Sequence, residues 1–185
     1  MVKLVTGAGP LGPVVNLNEI DFGILEFVAR AEAGATAQNL AITNISVDLD
    51  DFNLLIMLHV NKLAVSGNYG ILLNSDAQSA YDSQIIQAEQ TTLSTAKADS
   101  ATVAPTTSGA IKMNTIGWMT NQTDGKAAFG GTTTFGETLG GLVNFAVARA
   151  IALGTAITTV TLGGSAASIL GSGTTMELYK RSRTV

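Results

Sequence analysis

The chain has 185 residues, of which 46 % are apolar and only 13 % charged, with 10 Lys and Arg against 14 Asp and Glu for a formal charge of −4. It has one His and no Cys, which excludes a disulfide framework, a thiolate metal site, a cysteine nucleophile and a metal site built on two or three histidines. The acidic balance argues against a general nucleic-acid binder, and no apolar run approaches the roughly 18 residues that a membrane helix needs.

Met1 to Val15 reads as an irregular arm, because Gly7, Gly9, Pro10, Gly12 and Pro13 interrupt its apolar residues, and it lacks the long apolar core of a signal peptide. The arm is either a loose terminus or a segment that orders against a neighbouring subunit. Residues 16–185 read as one domain. From Ile24 to Ala33, Leu25, Phe27 and Ala29 alternate with Glu26, Val28 and Arg30, the period of a half-buried strand. A helix competes there, since Ala, Glu and Leu favour it. Asn39 to Val47 is β-branched and strand-like, and Asp48 to Asp51 is a polar turn.

Phe52 to Val65 is the most apolar segment and has no polar face of helical period. Phe52, Leu54, Ile56, Leu58 and Val60 share one face at period two, and Asn53, Leu55, Met57, His59 and Asn61 share the other, which predicts a long central strand. Ser66 to Asn68 signals a hairpin, and Tyr69 to Leu73 is the returning strand. Asn74 to Gly109 is a polar stretch in which a short strand or helix around Tyr81 to Ala88 precedes a surface excursion through Pro105. Ile111 to Trp118, Thr132 to Phe135, Ala156 to Leu162 and Thr174 to Tyr179 are strand-like. The apolar run Leu142 to Leu153 is interrupted by Asn144 and Arg149. About eight short strands between Gly-rich turns, with at most one or two helices, predict an all-β antiparallel sandwich or barrel.

Few residues of the chain combine into a pattern that chemistry needs. His59 lies inside the most apolar strand and reads as a structural histidine facing a crowded or inter-subunit surface. Asp48, Asp50 and Asp51 alternate as in some calcium loops, but Asn53 and His59 stand where such a loop needs Gly and Glu. Gly7 to Gly12 spells G-x-G-x-x-G, yet Pro13, Val14 and Val15 do not open a helix. No catalytic, cofactor or metal residue is therefore assigned. The basic tail of Lys180, Arg181 and Arg183 is a small footprint for nucleic acid and suits an acidic protein neighbour or solubility. Trp118 is expected in the core or an interface, and Tyr179 on a strand with its hydroxyl at the rim.

The closing stretch Ala156 to Arg181 resembles the end of many tailed-bacteriophage virion proteins. Ile157, Val160 and Leu162 match a strand of the type I-x-x-I-x-L, and Gly173, Thr174, Leu178 and Tyr179 match a later strand of the type G-S-x-x-x-L-Y, with Thr174 in place of Ser. Ala41 to Val60 resembles the family's strand, acidic-aromatic step and long apolar strand, with Phe52 where Tyr is usual. Together these cover about a quarter of the chain. The resemblance implies a jelly-roll-like β-sandwich on the virion surface, often a homotrimeric decoration or cement protein seated on the major capsid protein. It transfers no catalytic residue.

The lightly charged surface of Ser, Thr, Asn and Gln fits a chain that works packed against copies of itself or a scaffold. The expected contact residues are Leu4, Val5, Leu11, Val14 and Val15 in the arm and Lys180, Arg181 and Arg183 in the tail. The expected function is a capsid cement, without cofactor, membrane or nucleic-acid partner. The alternative is a tail-fibre or baseplate module that binds host glycans, using Asn74 to Gly109 as a loop. An enzyme that uses His59 is a third reading.

Overall fold

The computed structural model describes residues 25–47, 53–89, 92–104, 109–121, 126–136, 141–149 and 156–181. Eleven strands run through them: β1 (Leu25–Glu32), β2 (Asn39–Val47), β3 (Asn53–Lys62), β4 (Tyr69–Leu73), β5 (Tyr81–Glu89), β6 (Thr92–Ala98), β7 (Ile111–Asn121), β8 (Ala127–Phe135), β9 (Gly141–Arg149), β10 (Ile157–Gly164) and β11 (Thr175–Arg181). No α-helix occurs among the described residues; Gln78–Ala80 forms one 3-10 turn. All pairings between these strands are antiparallel. They form an eight-stranded sheet of order β1-β11-β3-β7-β8-β9-β5-β6 and a three-stranded sheet of order β2-β10-β4.

The alternation in β3 explains why one face of the large sheet is the core face. Leu54, Ile56, Leu58 and Val60 are buried there, and Met113 and Met119 of β7 and Met176 and Leu178 of β11 point the same way. The small sheet supplies Ile42, Ile45, Tyr69, Ile71, Val160 and Leu162 to the same hydrophobic cluster, so the two sheets share one core in a sandwich-like arrangement. A chain of hydroxyls crosses that core. The Tyr69 hydroxyl lies 3.3 Å from the Thr115 hydroxyl, which lies 2.8 Å from that of Thr133, and Thr133 donates to the Val103 carbonyl at 2.7 Å. Each member has a partner, so burial is tolerated. Burial also pushes the Tyr69 phenol well above its ordinary range.

Two glycines let β7 and β8 carry aromatic rings over their backbones. Gly117 and Gly131 are cross-strand partners. A Cβ on Gly117 would lie 2.6 Å from the Phe129 ring, and one on Gly131 would meet the Ile116 carbonyl and come within 2.9 Å of the Phe145 ring. The two rings pack tilted, with centroids 5.0 Å apart. Gly131→Ala forces backbone or ring to shift and is expected to cost about 1–3 kcal/mol in a denaturant melt.

The structure revises three sequence expectations. Among the described residues of the polar stretch Asn74 to Gly109, the strand alternative at Tyr81 to Ala88 forms as β5 in a β5–β6 hairpin, and Ala101 to Ala104 are buried rather than on a surface excursion; Pro105 lies outside the described residues. Its backbone adds to the small sheet, since Ala101 O accepts from Ile71 N and Tyr69 O from Val103 N. The count of about eight strands is too low, because β5, β6 and β9 were not assigned as full strands. Strand β1 forms, but its register shifts between Phe27 and Ala29. That bulge turns Leu25 and Phe27 outward with Tyr179, while Ala29 and Ala31 pair with the buried Leu178 and Met176.

Candidate functional site: the outer face of the large sheet

Among the described residues, the face of the eight-stranded sheet turned away from the core gathers exposed large apolar side chains. Register aligns one row across it: Phe27 beside Tyr179, Tyr179 beside Leu55, Leu55 beside Trp118, and Trp118 beside Gly130. Phe27 and Tyr179 meet edge to face, with ring centroids 5.6 Å apart. One row further along, Met57 pairs with Ile116. Leu55 is buried in this row, but Phe27 is 55 % exposed, Trp118 45 %, and Met57 and Ile116 also stand in solvent. Isolated apolar side chains on a surface are ordinary; a contiguous set on paired strands marks an interaction surface. Trp118, expected in the core or an interface, is thus not a core residue.

Beyond Trp118 the side chains become small. Ala128 and Gly130 of β8 and Ala146 and Ala148 of β9 floor an open groove of about 660 Å³. Thr120 stands on one side, and Asp82, Gln84, Lys97 and Asp99 stand on the other. A second hollow of about 320 Å³ lies around His59, Met57, Asn114 and Glu177. His59 is half-buried there, and its Nδ1 lies 2.8 Å from Asn114 Oδ1. Among the described residues, no three His, Asp or Glu side chains gather where they could hold a metal ion.

The expected contact residues divide. Leu4, Val5, Leu11, Val14, Val15 and Arg183 lie outside the described residues, as do Asp48 to Asp51 and Gly7 to Gly12. Lys180 pairs with Glu26 at 3.3 Å on an exposed part of β11, and Arg181 ends that strand opposite Leu25. Arg181 therefore flanks the exposed row at the β1 edge, whereas Lys180, in register with Leu54, alternates to the opposite face. On the row itself the Tyr179 hydroxyl donates to Glu177 at 2.8 Å, and Arg30 reaches Glu32 at 3.0 Å and Glu177 at 3.7 Å.

Two polar clusters escaped the sequence reading. Arg149 holds Asp76 with two bonds, Nε to Oδ2 at 2.6 Å and NH2 to Oδ1 at 2.9 Å. The Tyr81 hydroxyl donates to the same Oδ2 at 2.8 Å and accepts from Leu73 N at 2.8 Å. Burial alone would raise the Asp76 carboxyl, but the hydrogen bonds from Arg149 and Tyr81 and the charge of Arg149 hold it below its ordinary range. Lys62 is 2 % exposed, and its ammonium donates to the carbonyls of Leu63, Val65 and Gly109 at 3.2, 2.6 and 3.2 Å. All three donors are used, so both clusters read as internal clasps rather than reactive centres.

No protein-family model, no curated protein and no solved structure matches the chain.

Proposed function

We propose that the chain is a bacteriophage virion structural protein of the decoration or cement type. In this reading it associates as a trimer, seats on the head lattice and bridges major capsid subunits, with no catalysis and no cofactor. The observation that carries the reading is the outer-face row. Phe27, Trp118, Met57 and Ile116 present exposed apolar surface on paired strands, and no strand among the described residues packs over them. Aromatic anchors on a stiff scaffold lose little conformational entropy when they bind.

The strand order supports the jelly-roll part of the reading. A jelly roll alternates between two sheets, so that its first, eighth, third and sixth strands form one sheet and its second, seventh, fourth and fifth the other. Taking β1, β2, β3, β4, the 101–103 segment, β7, β10 and β11 as those eight gives β1-β11-β3-β7 and β2-β10-β4 followed by 101–103. The β5–β6 and β8–β9 hairpins are then insertions that widen one sheet by four strands.

The test is to quantify the chain in purified particles of the virus that encodes it. Hundreds of copies per particle are expected. Trp118→Asp should lower occupancy at least tenfold, since buried aromatic anchors contribute about 2 kcal/mol or more. The isolated variant should stay folded and lose about 1–2 kcal/mol, since Trp118 is half exposed on an inner strand beside the buried Leu55. Particles without the chain, or full occupancy by Trp118→Asp, would contradict the reading.

A second reading, a tail-fibre or baseplate module that binds host glycans, is favoured by the groove beside Trp118 with its polar wall of Asp82, Gln84, Lys97 and Asp99. Copy number separates the two: a handful of chains per particle places them in the tail.

A further inference from the structure

We propose that β6 is a self-association edge, which pairs antiparallel with β6 of a second copy about a twofold axis at Thr95. The inference rests on the reading that copies of the chain meet, and it names a twofold contact between them that is separate from the contact that would form a trimer.

The large sheet ends at β6, so one side of that strand's backbone meets no strand among the described residues. Every side chain from Thr92 to Lys97 is exposed on both faces. An unpaired, regular edge is a template for another strand, and proteins ordinarily blunt such edges with bulges, charges or brevity. The other edges are blunted here. Strand β1 carries a bulge together with Glu26, Arg30 and Glu32. Strand β2 breaks register against β10 and holds Asn44 at φ 58°. The 101–103 segment is short and joins β4 through a single bridge. By contrast, β6 keeps unbroken register with β5 over all seven residues and holds one charge, Lys97.

Charge and packing select a second copy in antiparallel register. Pairing about Thr95 engages all seven residues and sets Leu93 opposite Lys97 and Ser94 opposite Ala96. Leu93 is 71 % exposed, and the methylene stem of Lys97 from the partner would cover it. In-register parallel pairing would instead oppose Lys97 to Lys97, which is unfavourable. One strand pair is a small interface, of the weak class under about 1,200 Å². It therefore acts where copies are concentrated, as neighbours on a lattice are.

The experiment compares three forms of the full chain by sedimentation equilibrium up to about 1 mM. The wild type should approach twice the mass of its S94K/A96K variant, in which Lys opposes Lys at both crossings. That variant should associate at least tenfold more weakly. The S94K/A96E variant opposes Lys to Glu in this register and should regain the wild-type mass. Because both variants change the same two exposed positions, their melting temperatures control for folding. A wild-type mass that does not rise with concentration, an S94K/A96K mass equal to wild type, or a folded S94K/A96E chain that stays dissociated would overturn the proposal. Each readout comes from purified protein, so the virion reading can fail without touching it.

Discussion

Replacing Arg149 with alanine is expected to cost about 3–5 kcal/mol of folding stability, because it strands a buried carboxylate. Arg149 sits at the end of β9 and Asp76 follows β4, so the pair ties the widened part of the large sheet to a strand of the small one. Both side chains are largely buried, and Tyr81 adds its hydroxyl to the same carboxylate oxygen. Asn74 secures the same turn by accepting from the backbone N–H groups of Thr158 and Thr159. Asp76→Asn should cost less, since a neutral amide keeps one acceptor. The pair also sets an acid limit. The folded Asp76 carboxyl titrates below its unfolded value, so its contribution is complete above about pH 4 and is lost as pH falls through the folded value. Chemical melts at descending pH should show this loss in the wild type and not in Arg149→Met. An Arg149→Ala chain as stable as wild type would remove the clasp from the account.

Lys62→Met is expected to cost about 3 kcal/mol, measured by urea denaturation. The substitution preserves most of the side-chain volume but leaves three carbonyls without their charged donor. Those carbonyls belong to the end of β3, the turn before β4 and the residues before β7, so the ammonium fastens three pieces of chain at one point. Burial pushes the amine below the ordinary lysine range, although each of its protons has an acceptor. Lys62→Arg should not rescue, because a planar guanidinium cannot reproduce a compact three-way contact. Full stability in Lys62→Met would mean that the carbonyls are satisfied another way.

Much of the fold was legible where apolar residues alternate. Period two in β3 grouped Leu54, Ile56, Leu58 and Val60 on one face, and that is the face that the structure buries. The same parity carries one step further to Lys62, and that signal was available: a lysine in phase with a core face needs acceptors. Strand β1 misled because a bulge inverts the phase within a single strand, which no alternation pattern discloses. Strand β5 formed where a strand or helix was expected at Tyr81 to Ala88, whereas β6 was hidden because it is exposed on both faces and so carries no apolar alternation. Arg149 read as an interruption of an apolar run, yet its partner Asp76 lies 73 residues away.

The outer-face row was not legible either. Phe27, Leu55, Trp118 and Tyr179 come from four strands scattered along the chain, and only pairing register aligns them. Low charge was visible in the sequence, but only register places the exposed Phe27, Met57, Ile116 and Trp118 on one face of the large sheet.

The most direct test of the account is an image of the intact particle at a resolution that separates strands. The account predicts a two-layered β domain whose eight-stranded sheet turns Phe27, Trp118, Met57 and Ile116 onto a protein neighbour. A domain seated with that face bare to solvent, or particles that lack the chain altogether, would contradict it.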